Sequence, residues 1–234
     1  MKKAMLMVMA AAWWSTGAGA APSPVKVDGQ SLDLDIQYYT RVLTPEGVTR
    51  EARYRETMMR RPGHVWVERI LPGDKHVADR HAASAGQASH AEFNPAVTPH
   101  HVMLENSKVR IEYVDQHGRA VVAIPSSEYA NVNFDGSWAN TFFLIDPKVV
   151  GAMPRTARKS PVAGAVWHER ERNGVFDRVL WDQKRQIPLM IESGDRADTF
   201  YRTVEVNVRP AAATPMPWEH LSGYAQKEYS DYLD

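Results

Sequence analysis

The sequence of 234 residues contains no cysteine. That absence excludes a disulfide framework, a thiolate nucleophile, a zinc ribbon and an iron–sulfur cluster. Net charge is missing too, because 28 Lys and Arg balance 28 Asp and Glu. Without a basic excess, bulk electrostatics cannot hold nucleic acid or an anionic membrane, so no nucleic-acid partner is expected. Long hydrophobic runs are also lacking. The one strongly apolar stretch ends at Trp14 and falls short of the ~20 residues that span a bilayer. No G-x-S-x-G, Walker or dinucleotide G-x-G-x-x-G motif follows residue 20. His168-Glu169 opens like a zincin motif, but Arg172 stands where the second His belongs. No nucleophile assembles with a base, and the expectation is a protein that is not an enzyme.

What is present begins with an address. Lys2 and Lys3 precede an apolar run from Ala4 to Trp14, and Ala18-Gly19-Ala20 supplies a small-residue cleavage site. This is the pattern of a secretory signal peptide over residues 1–20. Its removal leaves 26 basic against 28 acidic groups. A soluble periplasmic location follows.

Residues 21–234 are expected to form a single domain, mainly β. Leu32, Leu34, Ile36 and Tyr38 alternate with Asp33, Asp35, Gln37 and Tyr39, the period of a half-buried strand. Similar runs cover Val48–Met58, Val65–Leu71, Val109–Val114 and Arg119–Ile124. Ala165–Glu171 and Val175–Trp181 flank an Asn173-Gly174 turn, a strong hairpin signal. Ile187–Glu192 and Thr199–Val208 complete about nine strands in an antiparallel meander, which curls into an unclosed half-barrel. Capping helices are few. Pro217 and the spacing of Trp218, Leu221, Ala225, Tyr229 and Tyr232 predict a C-terminal helix over 217–234. Trp138–Met153 reads as a short helix or flap. Residues 72–101 form a loop without periodicity, and five of the nine histidines lie in it.

Tyr54-Arg55-Glu56-Thr57-Met58-Met59-Arg60-Arg61-Pro62-Gly63-His64-Val65-Trp66-Val67-Glu68 resembles the strand, Arg-Pro turn and strand of the LolA/RseB-type superfamily of periplasmic proteins. Val175-Phe176-Asp177-Arg178-Val179-Leu180-Trp181-Asp182 is similar to its late meander. The resemblance implies an open antiparallel barrel whose cavity, capped by helices, receives acyl chains. It also implies that the arginine before the Pro turn, Arg61 here, helps hold a lid closed. On this reading Arg61, Trp66, Trp138, Phe142 and Phe143 serve the ligand or the lid. The partners are a lipid or lipoprotein ligand and a membrane-associated protein.

A second chemistry stays open beside it. His76, His81, His90, His100 and His101, with the thioether of Met103, are donors that suit copper or zinc. Their spacing matches no established metal site. A solvated polar loop explains the same residues.

Overall fold

The computed structural model describes residues 30–71 and 93–232. The leader at 1–20 and His76, His81 and His90 lie outside the described residues.

Six strands meander in chain order: β1 (Leu32–Leu43), β2 (Thr49–Arg61), β3 (His64–Ile70), β4 (His100–Glu105), β5 (Lys108–Asp115) and β6 (Ala120–Ile124). Two short helices follow, α1 (Trp138–Phe143) and α2 (Pro147–Gly151). A second meander comprises β7 (Ala165–Arg172), β8 (Val175–Asp182), β9 (Ile187–Asp195) and β10 (Phe200–Arg209), and β11 (Ala225–Glu228) comes last. Antiparallel pairing of β10 with β1 joins the two meanders. The result is one open sheet in the order β11-β6-β5-β4-β3-β2-β1-β10-β9-β8-β7, a half-barrel as the alternation predicts.

Strand alternation sorts the side chains onto two faces. The inner face carries Leu34, Ile36, Met58, Val65, Val102, Ile111, Val122, Val204 and Val206, all buried in one core. Both helices cover it, with Phe142 of α1 fully buried and Val150 of α2 nearly so. The outer face holds a smaller cluster of Trp66, Val114 and Val121. Pro188 is the second residue of β9, ahead of the part that pairs with β10, so its missing N–H costs that ladder nothing.

Two expectations need correction. The loop ends before His100, because His100–Glu105 pairs with both β3 and β5 as β4. Among the described residues no α-helix spans the C-terminal stretch. A 3-10 turn at Pro217–His220 is followed by Gly223 at φ +82°, then by β11 and a second 3-10 turn at Tyr229–Tyr232. A left-handed glycine ends helical winding, and β11 instead pairs in parallel with β6. The aromatic spacing that suggested a helix serves two faces of the sheet. Trp218, Leu221 and Tyr224 pack on the outer cluster, and Tyr229 enters the inner core. The C-terminal segment thus wraps the β6 edge.

Candidate functional site

The α1–α2 segment is short because its own polar residues start and stop it. Ser137 caps α1, its hydroxyl accepting from the Asn140 amide at 3.2 Å. Asp135 accepts from the Ser137 amide at 2.8 Å and from the Asn140 side chain at 2.5 Å. Leu144 ends α1 in the left-handed region at φ 63°. Asp146 then caps α2, accepting from the Lys148 amide at 2.8 Å, with Pro147 in the first turn. These bonds lie within the segment.

Its attachment to the sheet combines apolar packing with polar ties, two of them made by side chains of the sheet. Trp138, Phe142 and Phe143 pack on the inner core, while Val150 and Met153 pack against Val179 and Trp181. The first tie is Arg60, at the end of β2, whose side chain is fully buried. Its Nη1 donates to the Phe142 carbonyl at 3.2 Å and to that of Gln186 at 3.4 Å. Nη2 donates to the Arg185 carbonyl at 2.9 Å and Nε to that of Gln30 at 3.0 Å. The guanidinium also sits 4.7 Å from the Phe142 ring centroid and 5.6 Å from that of Phe143, within cation–π range. Burial pulls its pKa down to about 10, which leaves it charged at neutral pH. The second tie joins β7 to the end of the lid, where His168 Nδ1 donates to the Met153 carbonyl at 3.1 Å.

The far end of the inner face is polar and aromatic. Tyr38 and Tyr54 stack at 4.5 Å, and the Arg69 guanidinium lies 3.7 Å from the Tyr54 ring centroid. The Tyr38 hydroxyl donates to Glu56, and burial raises the pKa of both groups. His100 stands beside Tyr113, and loss of solvent lowers its pKa to about 4. A cavity of about 250 Å³ opens at this rim, lined among others by Arg69, Phe93, Thr98, His117 and Tyr232.

The outer face carries a separate hydrogen-bonded chain. Glu112 Oε1 lies 3.2 Å from His101 Nδ1, and His101 Nε2 lies 3.1 Å from His64 Nδ1. The Trp218 indole stacks on both imidazoles within 10° of parallel. Desolvation first, and then His101, lowers the His64 pKa against the pull of Glu105.

These positions decide what becomes of the sequence-predicted residues. Trp138, Phe142 and Phe143 do meet, in α1 over the inner core. Arg61 is not with them. Strand alternation turns it to the outer face, where it pairs with Asp33 at 2.8 Å and donates to the carbonyl of Leu32. Its neighbour Arg60 bonds the Phe142 carbonyl of α1 instead. Trp66 is likewise on the outer face, buried beneath the C-terminal segment. In β4, His100 faces inward while His101 and Met103 face outward, so the three do not converge. Among the described residues no group of three or more His, Cys, Asp or Glu side chains is placed to hold a metal ion. No helix among them is long and apolar enough to cross a membrane.

No family model and no curated protein matches the chain. Solved structures do. PNGF-II is similar at 9% identity and a TM-score of 0.39, over 86% of this chain and 32% of that one. This chain therefore spans about a third of PNGF-II. An uncharacterized conserved protein from Thermus thermophilus is similar at 10% identity and a TM-score of 0.39, over 83% and 90% of the two chains. A LolA superfamily protein from Nitrosomonas europaea is similar at 8% identity and a TM-score of 0.32, over 85% and 92%.

Proposed function

We propose that this protein is a periplasmic carrier without enzymatic activity, which holds the acyl part of a lipid or lipoprotein between the inner face and the α1–α2 lid. The observation that carries this reading is Arg60. A buried cation that bonds backbone carbonyls of both lid and sheet fastens one to the other without a covalent link. Beneath the lid lies apolar surface, which gains about 25 cal/mol for each Å² kept from water. An acyl chain that replaces the lid's aromatic residues keeps that surface dry. The lid's internal caps let it leave as a unit. The pattern of residues 1–20 supplies the location, and a membrane-associated protein delivers or accepts the ligand.

The test is native mass spectrometry of the protein with methyl dodecanoate as the apolar probe, on the natural sequence and on Arg60→Lys. Lysine keeps the charge but cannot reach several carbonyls from one planar group. One bound probe per chain, with tighter binding to the loosened variant, supports the carrier. Failure of both proteins to take up the probe overturns it.

A further inference from the structure

Strand register gathers His64, His101, Met103 and Glu112 on the outer face, away from the lid. Val65 and Val102 point into the inner core, so their strand neighbours His64, His101 and Met103 point outward. Met103 is the cross-strand partner of His64, and Glu112 that of His101. The Glu112 carboxylate accepts from His101 Nδ1 at 3.2 Å, which leaves the lone pair of the neutral ring on Nε2. That nitrogen faces His64 Nδ1 at 3.1 Å. A carboxylate behind one ring nitrogen is the support that metal-ligating histidines have, since it fixes the tautomer and raises the basicity of the other nitrogen. Two metal–nitrogen bonds of about 2.0–2.1 Å at a tetrahedral angle span about 3.3 Å, so the two nitrogens need part only slightly to share one ion.

The surroundings narrow the choice of ion. Among the described residues no third His, Cys, Asp or Glu completes a ligand set with the pair, whereas structural zinc takes four ligands. The donor within register is the Met103 thioether, which is soft and selects Cu(I), an ion that imidazole also suits. His101 and Met103 are only 2% and 8% exposed, while His64 is half-buried and leaves an entry. The Trp218 indole lies within 10° of parallel to both imidazoles, at centroid distances of 5.2 and 4.9 Å. A cation between the two nitrogens therefore faces an aromatic ring at cation–π distance. We propose that His64 Nδ1 and His101 Nε2, with the thioether of Met103, form a binding site for Cu(I), which Glu112 orients and Trp218 covers. When the ion takes the place of the hydrogen bond between the rings, the His64 proton moves to Nε2. The site shares no residue with the lid and does not depend on the carrier reading.

The test is anaerobic titration with Cu(I) against the chromogenic chelator bicinchoninate. It uses the natural protein, His64→Gln, Met103→Leu and a triple variant with His76, His81 and His90 replaced by Asn. Near-ultraviolet circular dichroism first shows each to be folded. Glutamine at position 64 can still donate to His101 but is a poor ligand for Cu(I). One ion per chain is expected in the natural protein and in the triple variant. His64→Gln is expected to weaken binding by at least about 100-fold and Met103→Leu by about 10-fold, losses of the size that altered metal sites show. Tryptophan emission should fall with the first equivalent, and less so in Trp218→Phe. Copper uptake that survives His64→Gln, or that the triple variant loses, overturns the proposal. So does a natural protein that takes up no copper, which makes the paired imidazoles a structural hydrogen bond. Full affinity in Met103→Leu strikes the thioether from the site.

Discussion

Replacement of Arg60 by methionine removes the guanidinium and keeps an unbranched side chain of similar reach. Four backbone carbonyls lose a donor, those of Gln30, Phe142, Arg185 and Gln186, at distances between 2.9 and 3.4 Å. The variant no longer buries a charge, which offsets part of the loss. A hydrogen bond to a charged group contributes about 1.5–3 kcal/mol, and a carbonyl left unpaired in a partly wet site costs less, so a global loss of about 2–4 kcal/mol is expected. Only the Phe142 bond and the two ring contacts belong to the lid. Their share is about 1–2 kcal/mol. Opening of the lid alone therefore becomes more frequent by about 5- to 30-fold. Urea unfolding reads the first quantity. Amide hydrogen exchange of residues 138–153 under native conditions reads the second. If these amides exchange no faster than in the natural protein while global stability drops, Arg60 braces the sheet end and is no latch.

Other consequences are open to direct measurement. His100 is driven down to about 4 by loss of solvent and by His101, so the fold favours its neutral form. The stability this supplies is full above the unfolded value near 6.5 and is lost as pH falls toward 4, by about 3 kcal/mol. Urea titrations across that window should show this slope, and in His100→Gln it should shrink. Gly194 has the Phe176 ring 2.8 Å and the Phe200 carbonyl 3.0 Å from where a Cβ would stand. Gly194→Ala should therefore cost about 1–3 kcal/mol in the same assay. Trp218→Ala strips the cover from His64 and His101 and should lower stability by about 1–2 kcal/mol. Limited proteolysis should then cut between Pro217 and Tyr232 first, and an unchanged cleavage pattern would show that the stack does not hold this segment.

Much of the sheet was legible because one physical signal dominates it. In β1 the alternation of Leu32, Leu34, Ile36 and Tyr38 with polar residues reports directly which face is wet. β4 escaped notice because His100 and His101 look like ligands when read beside the other loop histidines. In a strand, adjacent residues point to opposite faces, and only pairing with β3 and β5 reveals that. β11 is four exposed residues held by the β6 edge, and nothing local in Ala225–Glu228 encodes a distant partner. The short helices after β6 were readable from the mixed apolar stretch Trp138–Met153. Which of the two adjacent arginines meets α1 was not read: Arg60 bonds the Phe142 carbonyl, while Arg61 pairs with Asp33. The signal that distinguishes the pair was available: Met58 and Arg60 share a strand face with Tyr54, so Arg60 continues the buried side and Arg61 does not. Resemblance to the Pro-turn arginine pulled the choice the other way. The roles of His168 and Glu112 could not be read, since their partners, Met153 and His101, are 15 and 11 residues away along the chain and meet them only through the sheet.

The central claim is that the lid leaves the inner face when ligand enters. Hydrogen exchange by mass spectrometry, with and without saturating methyl dodecanoate, tests it most directly. Faster exchange across residues 138–153 on binding, with the outer cluster around Trp66 and Trp218 unchanged, is the expected result. Binding that leaves the lid amides protected and alters exchange only at the outer face would contradict it.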